Sequence, residues 1–192
     1  MPLNAVFAPD GKYAYVSCWY GGLGLRGALV QIDTASQTVV GNIALAKIGS
    51  PLGSTRFFGF GIALDPATKN VYVTQRPKST PHQGECKLAV INPPHDHVKS
   101  HAFIPNCLPN PIAFTPDGQY LYIVATDARG TNSTVLTIET ATNQVVGTPI
   151  VVGVEANPLA IAPNGKFAYV VNTNGFVTTN PSPPLERRVR FR

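Results

Sequence analysis

Four times along this chain of 192 residues, a short apolar run, a proline turn and an alternating aromatic run recur in the same order. The segments are Ala5 to Ser17, Ile62 to Thr74, Ile112 to Val124 and Leu159 to Val171. Their turn prolines, Pro9, Pro66, Pro116 and Pro163, are 57, 50 and 47 residues apart. Repetition at such a period constrains fold more than any other feature of a sequence. One repeat cannot bury its own apolar face, so neighbouring repeats must stack. Within each segment the proline presets φ at the first turn position. Asp10-Gly11, Asp117-Gly118 and Asn164-Gly165 then supply residues that tolerate left-handed backbone. Each segment is therefore predicted to be a β-hairpin.

A second hairpin pattern follows three of the four segments, at Ala28 to Gly41, Leu88 to Val98 and Thr134 to Gly147. Asp33 is expected to cap its turn through an Asx bond, and Asn92 and Glu139 hold the matching positions. Two hairpins make a four-stranded antiparallel unit. The expected fold class is all-β, a β-propeller of such units as blades. Composition agrees: 44% of residues are hydrophobic and only 13% charged, which excludes a disordered chain. The 17 glycines and 18 prolines fall between the apolar runs, as turns require.

The repeats also carry a resemblance. Tyr15-Val16-Ser17, Tyr72-Val73-Thr74 and Tyr169-Val170-Val171-Asn172 are similar to the YVTN signature. Ile32 to Ser36 and Ile138 to Thr142 are similar to the I-D-T-A-T stretch that follows it. The match covers most of residues 4 to 173. The resemblance implies a propeller of about seven blades. Members of this family include cell-surface and surface-layer proteins, and similar propellers include lactonases and propeller subunits of redox enzymes. Fold alone does not choose among them.

Counting strands gives three complete blades and the first hairpin of a fourth. The expected blades run over about 4–57, 58–107 and 108–154, with a half blade over 155–176, so that 1–178 form a partial, incomplete propeller. Residues 179–192 are expected to be an irregular, Arg-rich tail. Three readings follow: a fragment of a longer protein, a chain whose ring another chain completes, or an open arc. The formal charge of +5 sits largely in that tail. Without residues 186–192, eleven basic residues face nine acidic ones, a net of +2, so no nucleic-acid partner is expected. No apolar run approaches the roughly 20 residues that span a bilayer, and Met1 to Asn4 lack a basic region followed by an apolar stretch, so no signal peptide is expected in this sequence.

Topology places the Pro-Asp-Gly turns on one rim and the long connections on the other. Binding is expected at the long-loop face, on Trp19, Tyr20, Arg26, Arg56, Arg76, Asp127 and Arg129, with Phe57, Phe58, Lys78 and His82 nearby. Aromatic platforms beside arginines suit sugars, anionic glycans or acidic peptides. The bland alternative is that the phenylalanines anchor their own loop and the arginines are merely solvated.

His95, His97 and His101 form H-x-H-x3-H, but they align with turn-rim positions of the outer hairpin and read as surface histidines, so no metal is expected. Cys86 and Cys107 flank the second hairpin of the second blade, where antiparallel pairing brings its ends together and permits a disulfide; two reduced thiols are the alternative. Cys18 lacks the partners of a catalytic cysteine. Asn132-Ser133-Thr134 is a glycosylation sequon, of consequence in a secreted protein of a eukaryote. No cofactor motif is present. The expected function is a non-enzymatic interaction scaffold, extracytoplasmic or at the cell surface, for a glycan, peptide or protein. The alternative is a fragment of a lactonase-like or quinoprotein-like enzyme, which would need polar groups converging near Asn4, Gly59, Asn110 and Asn157, beside Asp127 or Glu155.

Overall fold

A computed structural model describes residues 2–18, 28–45, 57–77, 85–92, 98–105, 108–127, 132–153, 156–172 and 186–190. The fold is all-β, built from small antiparallel sheets. The first sheet runs β1 (Pro2–Phe7), β2 (Tyr13–Cys18), β3 (Ala28–Asp33) and β4 (Thr38–Ala44). The second runs β5 (Phe57–Leu64), β6 (Val71–Pro77), β7 (Glu85–Ile91) and β8 (Val98–Pro105). The third runs β9 (Leu108–Phe114), β10 (Tyr120–Thr126), β11 (Ser133–Glu139) and β12 (Gln144–Gly153). Each sheet keeps chain order from one edge to the other. The fourth holds β13 (Ala156–Ile161), β14 (Phe167–Asn172) and β15 (Glu186–Arg190).

The last strand corrects an expectation. The Arg-rich tail is not irregular throughout: Arg188 lies opposite Tyr169 and Arg190 opposite Phe167 in an antiparallel ladder. An unpaired strand edge offers a row of backbone donors and acceptors to any extended segment, and charged residues on the added strand discourage further pairing.

Each turn forms for the reasons its residues supply. Gly11, Gly118 and Gly165 have φ of 69°, 72° and 69°. Asp10, Asp117 and Asn164 accept the backbone N–H two residues on, at 3.0 Å in each case. Asp33 caps its own turn as expected, taking the Ser36 N–H at 2.7 Å. Thr34 and Thr140 then donate their hydroxyls to backbone carbonyls of the neighbouring turn, Lys12 and Gln119, and so fasten the two hairpins of a sheet together.

The sheets stack in chain order, and their contacts concentrate on the first strands: β1 packs on β5, β5 on β9, and β9 on β13. Three apolar layers fill the spaces. Tyr15, Leu29 and Ile43 meet Ile62, Val71, Val73 and Ala89 between the first two sheets. Tyr72, Leu88 and Val90 meet Ile112, Leu121, Ile123 and Ile138 between the second and third, with Tyr72 edge-on to Phe114 at 5.0 Å. Tyr122, Val124 and Val135 meet Leu159, Ala168 and Val170 between the third and fourth. A side chain such as Leu88, fully buried, contributes roughly 1.5–3 kcal/mol.

The four positions of the Tyr-Val-Thr-Asn pattern thus have separate physical roles. Tyr15, Tyr72 and Tyr122 face the next sheet, and Val73 faces the preceding one. The third position mends an irregularity: the β5–β6 register shifts between Gly59 and Ile62, and the Thr74 hydroxyl accepts the Gly61 N–H at 2.8 Å. The fourth position clamps one sheet to the one before it. The Gln75 amide donates to Leu45 O at 3.1 Å and the Asn172 amide to Val152 O at 2.9 Å. Ala125 holds the same position in β10 and brings no amide. Gly153 makes room for the Asn172 clamp: with φ of 131°, a Cβ there would stand 2.9 Å from Asn172 Oδ1.

Candidate functional site

Antiparallel order fixes which segments share a rim. The ends of β2, β4, β6, β10 and β12 and the starts of β3, β5, β7, β11 and β13 all lie on one side of the stack. The connections over 19–27, 46–56, 78–84 and 128–131 therefore leave from and return to that rim, and the short turns lie on the other. Of the residues expected to bind there, Trp19, Tyr20, Arg26, Arg56 and Arg129 lie outside the described residues, as do Lys78, His82 and Glu155. Arg76 sits within β6, opposite Phe58 in the ladder. Asp127 is half-buried and donates its backbone N–H to Asn132 O at 2.9 Å, closing the neck of the 128–131 connection.

Beneath that rim the strand ends are knit by buried polar groups. Ser17, Thr74, Gln75, Thr126 and Ser133 are all buried. Thr126 and Ser133 hydroxyls bond at 3.0 Å, and Ser133 Oγ accepts the Ala156 N–H at 3.1 Å, tying β10 and β11 to the start of β13. Among the described residues, the buried side-chain oxygens of Gln75 and Asn172 have no partner. Such a layer holds the rim's strand ends in fixed relation, whatever the connections above it do.

Cys86 is fully buried and disulfide-bonded, whereas Cys18 is free and buried. The chain's one remaining cysteine, Cys107, lies outside the described residues. Among the described residues, no group of three or more His, Cys, Asp or Glu could hold a metal ion. His95 and His97 lie outside the described residues, and His101 pairs with Ala89 in the β7–β8 ladder.

The opposite rim contains a feature that sequence reasoning did not anticipate. A cleft of about 410 Å3 opens between the first and second sheets, lined by Ala8, Pro9, Asp10, Tyr13, Tyr15, Gln31, Leu64 and Lys69. Turn chemistry explains it. In the third and fourth sheets the turn glycine lies against the preceding turn: a Cβ on Gly118 would be 2.8 Å from Asp65 Oδ1, and one on Gly165 would be 3.4 Å from Pro116 Cδ. The second sheet has no glycine in its turn. Its left-handed residue is Lys69, with φ of 62°, one position later than the glycines. Asp65 organises this different turn, accepting Ala67 N–H at 2.8 Å and Thr68 N–H at 3.2 Å, while Asp65 O takes Lys69 N–H at 3.0 Å. The close approach is lost and the cleft remains. The legible signal was the absence of glycine from Pro66-Ala67-Thr68-Lys69.

Electrostatics on this rim are mild. The Thr115 hydroxyl, and then the Gln119 N–H, hold the Asp117 carboxyl below its usual range; the Ser36 N–H and hydroxyl do the same for Asp33. Burial, with the Asp65 carboxylate nearby, pushes the Tyr72 hydroxyl up to about 12. The Lys69 ammonium donates to its own turn at Pro66 O.

No protein-family model matches this chain, and no curated protein matches it. Among solved structures, it is similar to a chain of the hydrazine synthase of Kuenenia stuttgartiensis, with a TM-score of 0.53 and 15% sequence identity. The match covers 100% of this chain and spans 63% of that one. At that identity the likeness concerns the fold alone. No helix among the described residues is long and apolar enough to cross a membrane.

Proposed function

We propose that the four sheets are blades of a YVTN-type β-propeller arc and that the chain is an interaction scaffold, working through the rim of long connections. One observation carries this reading. The strand ends bearing those connections are locked together by the Gln75 and Asn172 clamps and by the Thr126–Ser133–Ala156 bonds. Variable segments held on a fixed frame are how scaffolds present binding residues. The packing of β1, β5, β9 and β13 in succession supports a radial arrangement about a common axis. A bonded Cys86 supports an oxidising, extracytoplasmic or cell-surface setting.

The ligand this rim suits is an anionic glycan or acidic peptide, taken by Trp19 and Tyr20 beside Arg26, Arg56, Arg76 and Arg129, with no cofactor required. The test is binding of a heparin-derived oligosaccharide and a poly-glutamate peptide to the purified chain, measured by calorimetry at two salt concentrations. Trp19→Ala with Arg56→Ala should weaken binding about tenfold or more, whereas Lys12→Ala on the opposite rim should not. Equal affinity for all three proteins, or binding by neither probe, would reject the rim as the site.

A further inference from the structure

The cleft between the first two sheets lies on the rim away from the long connections, and nothing in the reading above uses it. Its 410 Å3 is within the range that holds small molecules, roughly 300–1,000 Å3. Its walls are of one kind. Pro9 and Tyr13 stand on the first sheet's side and Leu64 on the second's. Its floor is the pair Tyr15 and Gln31, direct neighbours across β2 and β3, 1% and 8% exposed. Gln31 donates its amide to Tyr15 Oη at 3.5 Å, and this is the amide's bond among the described residues. The amide oxygen makes no hydrogen bond there and, unlike the enclosed oxygens of Gln75 and Asn172, stays open to the cleft. A guest that supplies a donor at the floor takes the place of water on this oxygen.

We propose that this cleft is a binding site for a flat, fused-ring aromatic molecule carrying one N–H or O–H donor. The rings lie between Tyr13, Pro9 and Leu64, where aromatic and aliphatic faces gain both burial and ring stacking. The donor reaches the Gln31 amide oxygen. Asp10 and Lys69 at the mouth carry opposite charges, so the entrance favours neither anions nor cations.

The test uses three bicyclic probes of one shape that differ in a single atom: indole donates through N–H, indene does not donate, and benzofuran only accepts. Each is titrated into the full chain labelled with 15N, and amide shifts are followed at Ala8, Leu64, Lys69 and the Gln31 side chain. Indole should move these resonances and bind about tenfold tighter than indene, a ratio that corresponds to about 1.4 kcal/mol. Gln31→Leu should bring indole and indene to equal affinity. Ala8→Phe, which fills the cleft, should abolish binding by both while the rest of the spectrum stays dispersed. No shift at these residues at millimolar indole would overturn the site. Indene or benzofuran binding as tightly as indole to the unmodified chain would overturn the assignment of Gln31 as acceptor.

Discussion

Three turn glycines offer an internal control on how the sheets approach one another. Gly11, Gly118 and Gly165 share a left-handed backbone, with φ of 69°, 72° and 69°. Replacing any of them with alanine forces a Cβ into that region, at about 1–2 kcal/mol. It also lowers the unfolded chain's entropy equally in each case, so both effects cancel in a comparison. What differs is the neighbour. At Gly11 nothing lies within 4 Å of the new Cβ. At Gly118 it meets Asp65 Oδ1 at 2.8 Å and Ala67 Cβ at 2.9 Å, and Asp65 cannot swing aside without releasing two backbone N–H groups. Overpacking of this kind costs about 1–3 kcal/mol. Gly118→Ala should therefore destabilise by about 1–3 kcal/mol more than Gly11→Ala, with Gly165→Ala close to Gly11→Ala, since Pro116 Cδ at 3.4 Å gives little resistance. Urea unfolding measures this directly, and at a slope near 2 kcal/mol per molar the midpoints should separate by on the order of 1 M. Equal losses at Gly11 and Gly118 would refute the close turn-to-turn contact between the second and third sheets, and with it the explanation of the cleft.

Two further outcomes are expected. Gln75→Glu places a carboxylate where an amide donated to Leu45 O, in a fully buried position, and should cost at least 3 kcal/mol at pH 7. Acidification should restore part of the loss, because a protonated carboxyl can donate to that carbonyl; a pH-independent loss would count against the clamp. Tyr72 should make stability fall in alkali. Its folded pKa of about 12 lies above the usual 10, so its contribution is complete below pH 10 and lost as pH rises towards 12. After allowance for solvent screening it amounts to about 1 kcal/mol. Tyr72→Phe should flatten that decline in alkaline urea titrations, and an unchanged slope would refute the assignment.

The strand pairs and their turns were legible because each is coded locally: alternation sets the faces, and proline with Asp-Gly or Asn-Gly sets the turn. The Asx cap at Asp33 was legible for the same reason. Strand β15 was not, because Glu186 to Arg190 shows no apolar alternation and pairs through backbone groups that carry no side-chain code. The fourth signature position was visible as a pattern, but its role at Gln75 depends on a carbonyl 30 residues away. The cleft was hidden for a related reason. It arises from a mismatch between turns of different sheets, which only their packing reveals.

Gly153 and Asn172 fit each other across two sheets: the glycine leaves the space that the amide fills. A mutation at either position is therefore judged by its partner in the neighbouring repeat. Copying Tyr169 to Asn172 without the strand end that receives it would insert a side chain with nowhere to go. For a gene that grows by duplication, the inherited module is then not one sheet but one joint, running from the last strand of one sheet into the second strand of the next. Duplications that respect this frame should survive, and those cut at the sheet boundary should be lost.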